Sequence, residues 1–346
     1  MTRGRTIILI LLQVLAVLVA GGCGKGDGAS SGGGGLVNPL HPGDSQGGST
    51  PTHPGGEVVL TVATCNVLKP EGRRTEMSMD KSLVRQALGK SVKNTQADII
   101  GFNELDETLV PGGRYSLMSS SNMSDMTWKL EWPNAPHEDN TTTYSYANGF
   151  AFNNTKLALE ESGYVWLSKD EDAWYVKPSS AYKKAGSPAR TCVWAKFTHK
   201  DTGKVFWLFV THLPTDSQGG AYNMAGVLNS FAKQKAGSDP AILTGDMNCS
   251  PAMSGNVAAT AAYRQLFSYW TDGNTDATYG TMSGSSTSYH YTVNTYSNGH
   301  PERRIDHIMA RGCSVSGYHT IVYTYTYDEK VWCPSDHLPL VATIEF

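Results

Sequence analysis

Short stretches in which apolar residues alternate with polar ones, or run together, recur from residue 57 to the C-terminus. Alternation and β-branched residues are typical of half-buried strands, and short continuous apolar runs are typical of fully buried strands. The predicted strands are 57–67, 97–104, 146–152, 191–197, 204–212, 241–248, 303–310, 321–327 and 339–346.

Two segments show helical spacing instead. After Asp80, a residue type that favours helix N-termini, apolar residues recur at helical spacing up to Val92. A second helix is predicted over 221–236. Because predicted helices fall between predicted strands, the pattern indicates β-sheets covered by helices, an α/β layered fold.

The N-terminal part of the chain has a different composition. Two arginines precede an apolar run over 7–19 and a stretch of small residues that ends at Cys23. This order predicts a signal peptide over 1–22. The residues before Cys23 resemble the cleavage motif of bacterial lipoproteins. That resemblance implies an acylated Cys23, a membrane reached through a lipid anchor, and a location in the cell envelope.

The remaining chain divides once. Residues 23–56 are rich in Gly, Ser and Pro and have no apolar periodicity, so they are predicted to form a flexible tether. Residues 57–346 contain no second linker and no internal repeat, which favours one domain. We expect this domain to be monomeric.

Charge and cysteine content narrow the function classes. The chain has 28 Lys and Arg against 31 Asp and Glu, a net charge of −3. Proteins that bind long nucleic acids usually have a basic excess, so the charge disfavours such a substrate. The 6 cysteines show no zinc-type spacing. An exported protein can form disulfides, and Cys313–Cys333 is the pair that we would test first.

Polar residues stand at or near the ends of several predicted strands. These residues are Asn66, Glu104, His212, Asp246, Asn248 and Asp306, with Asp336 and His337 at the start of the last strand. Singly, each has an ordinary explanation as a turn residue, a solvated strand end or a buried histidine, and Arg303 or Arg304 could simply pair with Asp306. Jointly they indicate a site, because strand ends are where sheets build sites.

Their chemistry suits a hard divalent cation and a phosphate. Mg²⁺ binds few protein carboxylates, keeps waters and accepts phosphate oxygens. A carboxylate beside a water can orient or deprotonate it, and a histidine can protonate a leaving oxygen or stabilise charge on the phosphoryl group. Such a histidine needs a raised pKa, which an aspartate partner supplies.

Six segments occur in the order found in a known superfamily. They are TCNVL (64–68), ADIIGFNE (97–104), THLP (211–214), ILTGDMNCSP (242–251), RRIDHI (303–308) and PSDHLP (334–339). Through them the chain resembles the endonuclease/exonuclease/phosphatase superfamily, which includes pancreatic-type deoxyribonucleases, abasic-site endonucleases, neutral sphingomyelinases and poly(A)-specific deadenylases. The resemblance implies a four-layer α/β sandwich, with two packed mixed β-sheets flanked by helices. It also implies phosphoester cleavage with Mg²⁺ or Mn²⁺.

The resemblance further implies a metal site. Glu104 would be the principal metal ligand, supported by Asn66 and Asp336. The superfamily usually has Gln before this Glu, where this chain has Asn103. The shorter amide is expected to leave the ligand intact and to change what surrounds it.

Catalytic roles are carried over in the same way. Asp246 would orient and activate the attacking water, and Asn248 would bind phosphate. Asp306 would orient His337, which would contact the scissile phosphate. His212 would stabilise the leaving side or act as the general acid.

Two residues are assigned to substrate binding. Arg190 matches a position at which the superfamily has a phosphate-contacting Arg, although it could also only cap a strand. Near 146–152 the superfamily often has a Glu or Tyr that partners the catalytic His, and Asn148 is the nearest polar residue there.

The favoured function is a metal-dependent phosphodiester hydrolase acting on oligonucleotides, as a nuclease or exonuclease. A sphingomyelinase-like phospholipid phosphodiesterase is the alternative. It would need an exposed apolar hairpin, and the Met and Trp residues of 111–145 fit a hairpin, a core or a lid. An inositol phosphatase is disfavoured, because Ile305-Asp306-His307 stands where that branch has Cys-Asp-Arg. A non-catalytic binding lipoprotein is the least favoured reading, since the site residues are intact.

Overall fold

A computed structural model provides the structure of this chain. It describes residues 56–68, 81–105, 109, 117, 126–130, 147–167, 169–170, 173–174, 190–215, 220–251, 257–272, 293–294, 301–327 and 329–346. The predictions for the signal peptide, Cys23, the tether and Asp80 lie outside the described residues.

The described elements are three helices and eighteen strands. The helices are α1 (Lys81–Lys93), α2 (Gly220–Ala236) and α3 (Val257–Phe267). The strands are β1 (Val59–Asn66), β2 (Ile99–Leu105), β3 (Met126–Leu130), β4 (Ala147–Asn153), β5 (Leu157–Trp166), β6 (Lys169–Asp170), β7 (Ala173–Trp174), β8 (Thr191–His199), β9 (Val205–His212), β10 (Ala241–Asp246), β11 (Thr271–Asp272), β12 (Val293–Asn294), β13 (Pro301–Arg303), β14 (Asp306–Arg311), β15 (Ser314–Thr320), β16 (Tyr325–Tyr327), β17 (Lys330–Trp332) and β18 (Leu340–Glu345). No helix in these described ranges has the length and apolarity needed to cross a membrane.

Two six-stranded sheets form the body of the fold. Sheet 1 has the order β15-β18-β1-β2-β4-β3, and sheet 2 has the order β11-β14-β10-β9-β8-β5. The pairs β1–β2 and β9–β10 are parallel, whereas β1–β18 and β10–β14 are antiparallel. Both sheets are therefore mixed, as the resemblance implied.

Alternation along the strands produces the layers. In β1, Leu60 and Val62 contact the apolar interior between the sheets, whereas Ala63 and Cys65 belong to the cluster that α1 covers. Helices α2 and α3 pack on the other face of sheet 2 through residues such as Leu228. The order helix, sheet, sheet, helix confirms the four-layer α/β sandwich.

The hydrophobic pattern missed several described elements, among them β3, β5, β15 and α3. Strand β5 lies at the edge of sheet 2 and carries two exposed glutamates, so its alternation is weak. Strand β15 is another edge strand with few apolar residues, and α3 is rich in Ala, which gives little contrast between its faces. The predicted strand 321–327 is reduced to β16, because residues 321–324 form a loop.

The prediction of a disulfide between Cys313 and Cys333 is wrong, because both cysteines are free thiols. The Sγ of Cys313 lies 3.8 Å from the carbonyl oxygen of Ala241, at the beginning of β10. Cys333 instead precedes β18, and Cys313 lies beside the far end of that strand. Six extended residues span about 20 Å, so the two thiols lie at opposite ends of the sheets.

Candidate active site

One edge of the sandwich collects the polar strand ends. Asp246 pairs with His212 across β9–β10 and with Asp306 across β10–β14. In sheet 1, Asn66 pairs with Asn103 at the ends of β1 and β2. Because the two sheets pack face to face, these ends converge in space.

Glu104 reaches this edge through an irregular backbone. Simple alternation after Asn103 would turn Glu104 toward the α1 side of sheet 1. The β2–β4 register shifts between Phe102 and Leu105, and Glu104 adopts a φ of 57°. Its Oε1 thereby accepts a hydrogen bond from Nδ2 of Asn66 at 3.2 Å. A non-glycine residue in this region is a costly conformation that is typical of functional sites.

The turn after β10 presents Asp246 and Asn248. Gly245 has a φ of 146°, and a Cβ at this position would lie 1.9 Å from the carbonyl oxygen of Thr211, so only glycine fits. Asn248 has a φ of 47°, and its backbone N–H donates to Oδ1 of Asp246 at 3.0 Å. Its side-chain amide donates to the carbonyl oxygen of Leu213 at 2.8 Å.

Asp246 lies at the centre of the site. Its Oδ2 accepts from Nδ2 of Asn66 at 3.0 Å and lies 3.4 Å from Nε2 of His212 and 3.7 Å from Nε2 of His337. Burial raises the pKa of Asp246 to about 7; the charge of His337 opposes this rise, whereas those of Asp306 and Glu104 add to it. This carboxyl group is therefore poised to exchange a proton near neutral pH.

His337 and Asp306 form a buried pair. Nδ1 of His337 lies 2.7 Å from Oδ2 of Asp306, which leaves Nε2 directed toward Asp246. Burial lowers the pKa of His337, but the carboxylates of Asp306 and Asp246 outweigh burial and raise that pKa well above its ordinary value. The ring is therefore cationic at neutral pH and can face a phosphate oxygen.

The donor set suits a divalent cation. Glu104 and Asp336 offer carboxylate oxygens, the ligands that Mg²⁺ and Mn²⁺ prefer. The amide of Asn66 turns its Nδ2 toward Glu104, while its Oδ1 accepts from the N–H of Leu68 at 3.0 Å. Burial raises the pKa of Asp336, and the charge of Glu104 raises it further. Carboxylates that repel one another in this way gain from a cation between them. Ser335 fixes the approach of this loop by donating from its Oγ to the carbonyl oxygen of Asn66 at 2.8 Å.

A second possible ligand set overlaps the catalytic groups. One ligand atom from each of Asp246, Asp306 and His337 lies within 4.8 Å of the others. These three side chains already contact one another through the ion pairs given above. The carboxylates of Glu104 and Asp336, which are half-exposed, form a separate group of possible ligands.

Comparison of the sequence with protein families decides the assignment. Residues 63–337 match the model of the Endonuclease/Exonuclease/phosphatase family. The chain belongs to this family. Its members hydrolyse phosphoester bonds, as phosphatases or nucleases. No curated protein matches the chain in sequence.

Solved structures share the family fold at low sequence identity. An endonuclease/exonuclease/phosphatase family protein from Bacteroides thetaiotaomicron has a TM-score of 0.65 and 22% identity, covering 84% of this chain and 99% of that chain. A mannosyl-6-phosphatase from the same organism has a TM-score of 0.64 and 21% identity, with 83% and 100% covered. The human Nocturnin catalytic domain, with bound sulfate, has a TM-score of 0.59 and 15% identity, with 84% and 96% covered.

Asn148 and Asn103 connect the two sheets beneath this family site. Nδ2 of Asn103 donates to Oδ1 of Asn148 at 2.8 Å and to the carbonyl oxygen of Thr211 at 3.0 Å. Oδ1 of Asn103 accepts from the N–H of Asp246 at 2.8 Å, and Nδ2 of Asn148 donates to the carbonyl oxygen of Thr191 at 3.0 Å. The amide of Asn148, assigned to substrate binding from the sequence, is thus bonded on both sides within the protein.

Arg190 stands immediately before β8, at the level where β8 begins beside the end of β9. It is half-buried, and its carbonyl oxygen accepts from the N–H of Leu167 at 2.8 Å. Its place is therefore one strand from His212, at the site edge of sheet 2.

The sequence left the supporting residues unassigned. Asn103 stood out only as a departure from Gln, and Ser335 gave no signal apart from preceding Asp336. Arg304, considered as a partner of Asp306, instead lies with its Nη2 3.0 Å from Oδ2 of Asp272. An isolated Asp in the two-residue strand β11 carries no pattern from which this long-range pair could be inferred.

Proposed function

We propose that this chain is a divalent-metal-dependent phosphoester hydrolase that uses an activated water, with phosphodiesters as the first substrate class. One observation carries the proposal. Oδ2 of the buried Asp246 lies 3.7 Å from Nε2 of His337, whose Nδ1 lies 2.7 Å from Asp306. Nδ2 of Asn66 bonds both Asp246 and the half-exposed Glu104, so the candidate cation ligand lies beside this pair. Water activation, phosphate binding and cation binding are thus allotted to different side chains.

Each group has a defined part in this proposal. A bound cation would neutralise phosphate charge and is assigned to Glu104, Asn66 and Asp336. Asp246, fixed by Asn66 and by the N–H of Asn248, orients the water and accepts its proton. The His337 ring, held by Asp306, stabilises charge on the phosphoryl oxygens.

His212 is assigned to the leaving side. Its Nε2 faces Oδ2 of Asp246 at 3.4 Å, on the flank of Asp246 formed by β9. The carbonyl oxygen of Thr211 beside it is held by Asn103, so the ring has a fixed backbone. A protonated imidazole there can donate to the leaving oxygen.

A phosphomonoesterase acting on sugar phosphates is the second candidate. The mannosyl-6-phosphatase from Bacteroides thetaiotaomicron is covered over its whole length and has a higher TM-score than Nocturnin. The net charge of −3 also favours a small substrate over a long nucleic acid.

The lipid alternative loses its support among the described residues. Within 111–145, Trp128 lies in β3 and stacks on Phe102 with ring centroids 4.8 Å apart, and Met126 is buried. These side chains belong to the core of sheet 1. Met118, Met123 and Trp132 lie outside the described residues.

The lipid anchor, the cell-envelope location and the monomeric state remain part of the proposal, on the sequence grounds given above. Acylation of Cys23 is tested by mass spectrometry of the mature protein. An N-terminal peptide without lipid would remove the anchor and the location inferred from it.

Substrate class is tested with a panel. Purified protein is incubated, with Mg²⁺ or with chelator, with bis-p-nitrophenyl phosphate, mannose 6-phosphate, single-stranded RNA, single-stranded DNA and sphingomyelin. We expect Mg²⁺-dependent turnover of a phosphodiester. Turnover of mannose 6-phosphate alone would select the second candidate, and no metal-dependent turnover of any compound would refute the hydrolase.

A further inference from the structure

A second cluster of polar side chains is buried behind the site, on the opposite face of β14. We call Asp272, Arg304, His307 and Tyr263 the Asp272 cluster; their exposed fractions are 0%, 2%, 0% and 7%. Because side chains alternate along a strand, Asp306 faces the interior between the sheets and His307 faces α3. The rings of His307 and Tyr263 lie 5.4 Å apart.

Asp272 is the common acceptor of this cluster. Its Oδ2 accepts from the Tyr263 hydroxyl at 2.9 Å and lies 3.0 Å from Nη2 of Arg304 and 3.2 Å from Nδ1 of His307. Burial raises the pKa of Asp272, but the hydrogen bond and charge of His307 and the charge of Arg304 outweigh burial and hold that pKa well below its ordinary value. The carboxylate is therefore ionised and surrounded by donors.

His307 joins this cluster to the catalytic turn. Its Nε2 lies 2.8 Å from the carbonyl oxygen of Cys249, while its Nδ1 faces Asp272. Carbonyl and carboxylate oxygens only accept hydrogen bonds, so each ring nitrogen of His307 faces an acceptor. The ring therefore spans from the charged cluster to the residue that follows Asn248.

The turn that His307 contacts needs support. It runs from Asp246 to Cys249 and contains Asn248 at a φ of 47°. The N–H of Met247 donates to the carbonyl oxygen of Ile305 at 2.8 Å, which fixes the turn from the β14 side. A residue in this sparsely populated conformation persists only where surrounding contacts hold it. His307 supplies such a contact at the end of the turn.

We propose that His307 is a positioning residue: through the carbonyl oxygen of Cys249 it fixes the turn that carries Asp246 and Asn248. The catalytic part of this inference rests on the proposed function, because it concerns how well those two side chains meet the reacting phosphate. His307 itself touches neither the substrate nor the cation. Asp272, paired with Arg304, holds the His307 ring in the orientation that reaches Cys249.

Two substitutions separate positioning from charge compensation. In His307→Gln the side-chain amide can reproduce Nε2 and so reach Cys249. In His307→Asn the amide can reproduce Nδ1 and so contacts Asp272 alone. Positioning requires the Cys249 contact, so we expect His307→Gln to retain most of kcat. We expect His307→Asn to lower kcat about 10- to 100-fold with KM changed little. Hydrolysis of bis-p-nitrophenyl phosphate with Mg²⁺ is the assay.

The thiol of Cys249 gives a readout that does not depend on activity. Cys249 and Cys192 are both 0% exposed and free, and burial raises the pKa of each thiol, so alkylation requires local opening. Full-length variants are treated with iodoacetamide under native conditions, and each cysteine is followed by mass spectrometry. We expect His307→Asn to accelerate alkylation of Cys249 about 10-fold, with Cys192 unchanged.

Tyr263→Phe is the matched control. It removes one hydrogen bond to Asp272 without touching Cys249, so stability should fall while kcat and the protection of Cys249 stay at wild-type values. Tyr263→Phe is also the reference if His307→Asn does not fold, because kcat and Cys249 protection in His307→Gln can then be compared with those in Tyr263→Phe. Equal acceleration at Cys249 and Cys192 in His307→Asn would overturn the proposal. So would loss of kcat in Tyr263→Phe as large as in the His307 variants, or full loss in His307→Gln.

The two parts fail separately. If the wild-type protein hydrolyses no phosphoester, the proposed function is wrong, and Cys249 alkylation still shows whether His307 holds the turn. If hydrolysis is found but both His307 variants keep wild-type kcat and Cys249 protection, the positioning role is wrong and the function stands.

Discussion

Asp246 and Asp272 are two buried aspartates of the same sheet with opposite surroundings. Asp246 is surrounded by Asp306 and Glu104 as well as by histidines, and its pKa is raised to about 7. Asp272 is surrounded by Arg304, His307 and the Tyr263 hydroxyl, and its pKa is held low. Burial is the largest influence on both groups. The partners decide whether a carboxyl group is available to take up a proton or serves as a fixed acceptor.

The surroundings of Asp246 suit a catalytic group, whereas those of Asp272 suit a group that stabilises the fold. A carboxyl group crowded by like charges costs folding free energy, which a bound cation or a proton can recover. A carboxylate matched to a buried cation, as Asp272 is to Arg304, contributes to holding the fold, and its removal leaves that cation without a counter-charge. The same substitution, Asp to Asn, should therefore have opposite consequences at the two positions.

The largest effect is expected in the activity of Asp246→Asn. An amide cannot accept the proton of the attacking water, so kcat should fall roughly 100- to 10,000-fold while the protein stays folded. Hydrolysis of bis-p-nitrophenyl phosphate under saturating Mg²⁺ measures this loss. A variant with wild-type kcat would remove Asp246 from the chemistry.

Asp272→Asn should act on stability instead. It leaves the buried Arg304 without its counter-charge, which costs about 3–5 kcal/mol. Urea denaturation monitored by circular dichroism measures the change in the free energy of unfolding. If Asp272→Asn were as stable as the wild-type protein, the charges around Asp272 would not be the compensated set described here.

The pH dependence of folding should differ between the two aspartates. The folded pKa of Asp246, about 7, lies above its ordinary value of 3.8. Its contribution to stability is therefore fully present below 3.8 and is lost as pH rises through about 7. The pKa of Asp272 is lowered in the folded protein, so its contribution to stability changes with pH in the opposite direction. This contribution is present above pH 3.8 and is lost as the pH falls through the folded pKa.

These two pH dependences of stability are tested on metal-free protein in the presence of chelator. Asp246→Asn should remove the part of the stability loss between acidic and neutral pH that Asp246 causes, and it should be more stable than wild type above pH 7, by on the order of 1 kcal/mol or more. The free energy of unfolding is measured across this range for both proteins. Parallel curves for the two would contradict the raised pKa of Asp246.

The smallest effect is expected for Asn103→Gln. The longer amide restores the residue type that the superfamily usually has, but it must bond Asn148, Thr211 and the N–H of Asp246 in a space fitted to Asn. We expect kcat to fall by about 10-fold, with little change in the unfolding midpoint. Asn148→Ala, which removes the next amide, is the paired variant. A wild-type kcat in both would show that this amide chain does not position Asp246.

Much of the fold could be predicted from local pattern. β1, β9 and β10 are apolar runs with polar ends, and the segment order implied the sandwich. Edge strand β5 could not be recognised, because its half-exposed residues satisfy no single periodicity. The site residues were found because each stands at a strand end. The Asp272 cluster was missed, because its members come from β11, α3, β14 and the link before β14, and only tertiary packing brings them together.

The turned side chain of Glu104 shows the same limit within the site. Alternation along β2 places it on the wrong face, and only the register shift with β4 brings it to Asn66. The role of Glu104 as a metal ligand came from the superfamily resemblance, because periodicity alone predicts a side chain that faces away from the site. The predicted Cys313–Cys333 disulfide was wrong for a related reason. Separation along the chain does not tell at which end of a sheet each thiol lies.

The most direct test of the account is the Mg²⁺ dependence of bis-p-nitrophenyl phosphate hydrolysis by the wild-type protein and by Glu104→Gln. The account predicts saturable activation of the wild-type protein by Mg²⁺, loss of activity in chelator, and a strong weakening of Mg²⁺ activation in Glu104→Gln. Tyr263→Phe, which lies outside the site, should respond to Mg²⁺ as the wild-type protein does. Hydrolysis that is indifferent to chelator, or an unchanged Mg²⁺ response in Glu104→Gln, would contradict it.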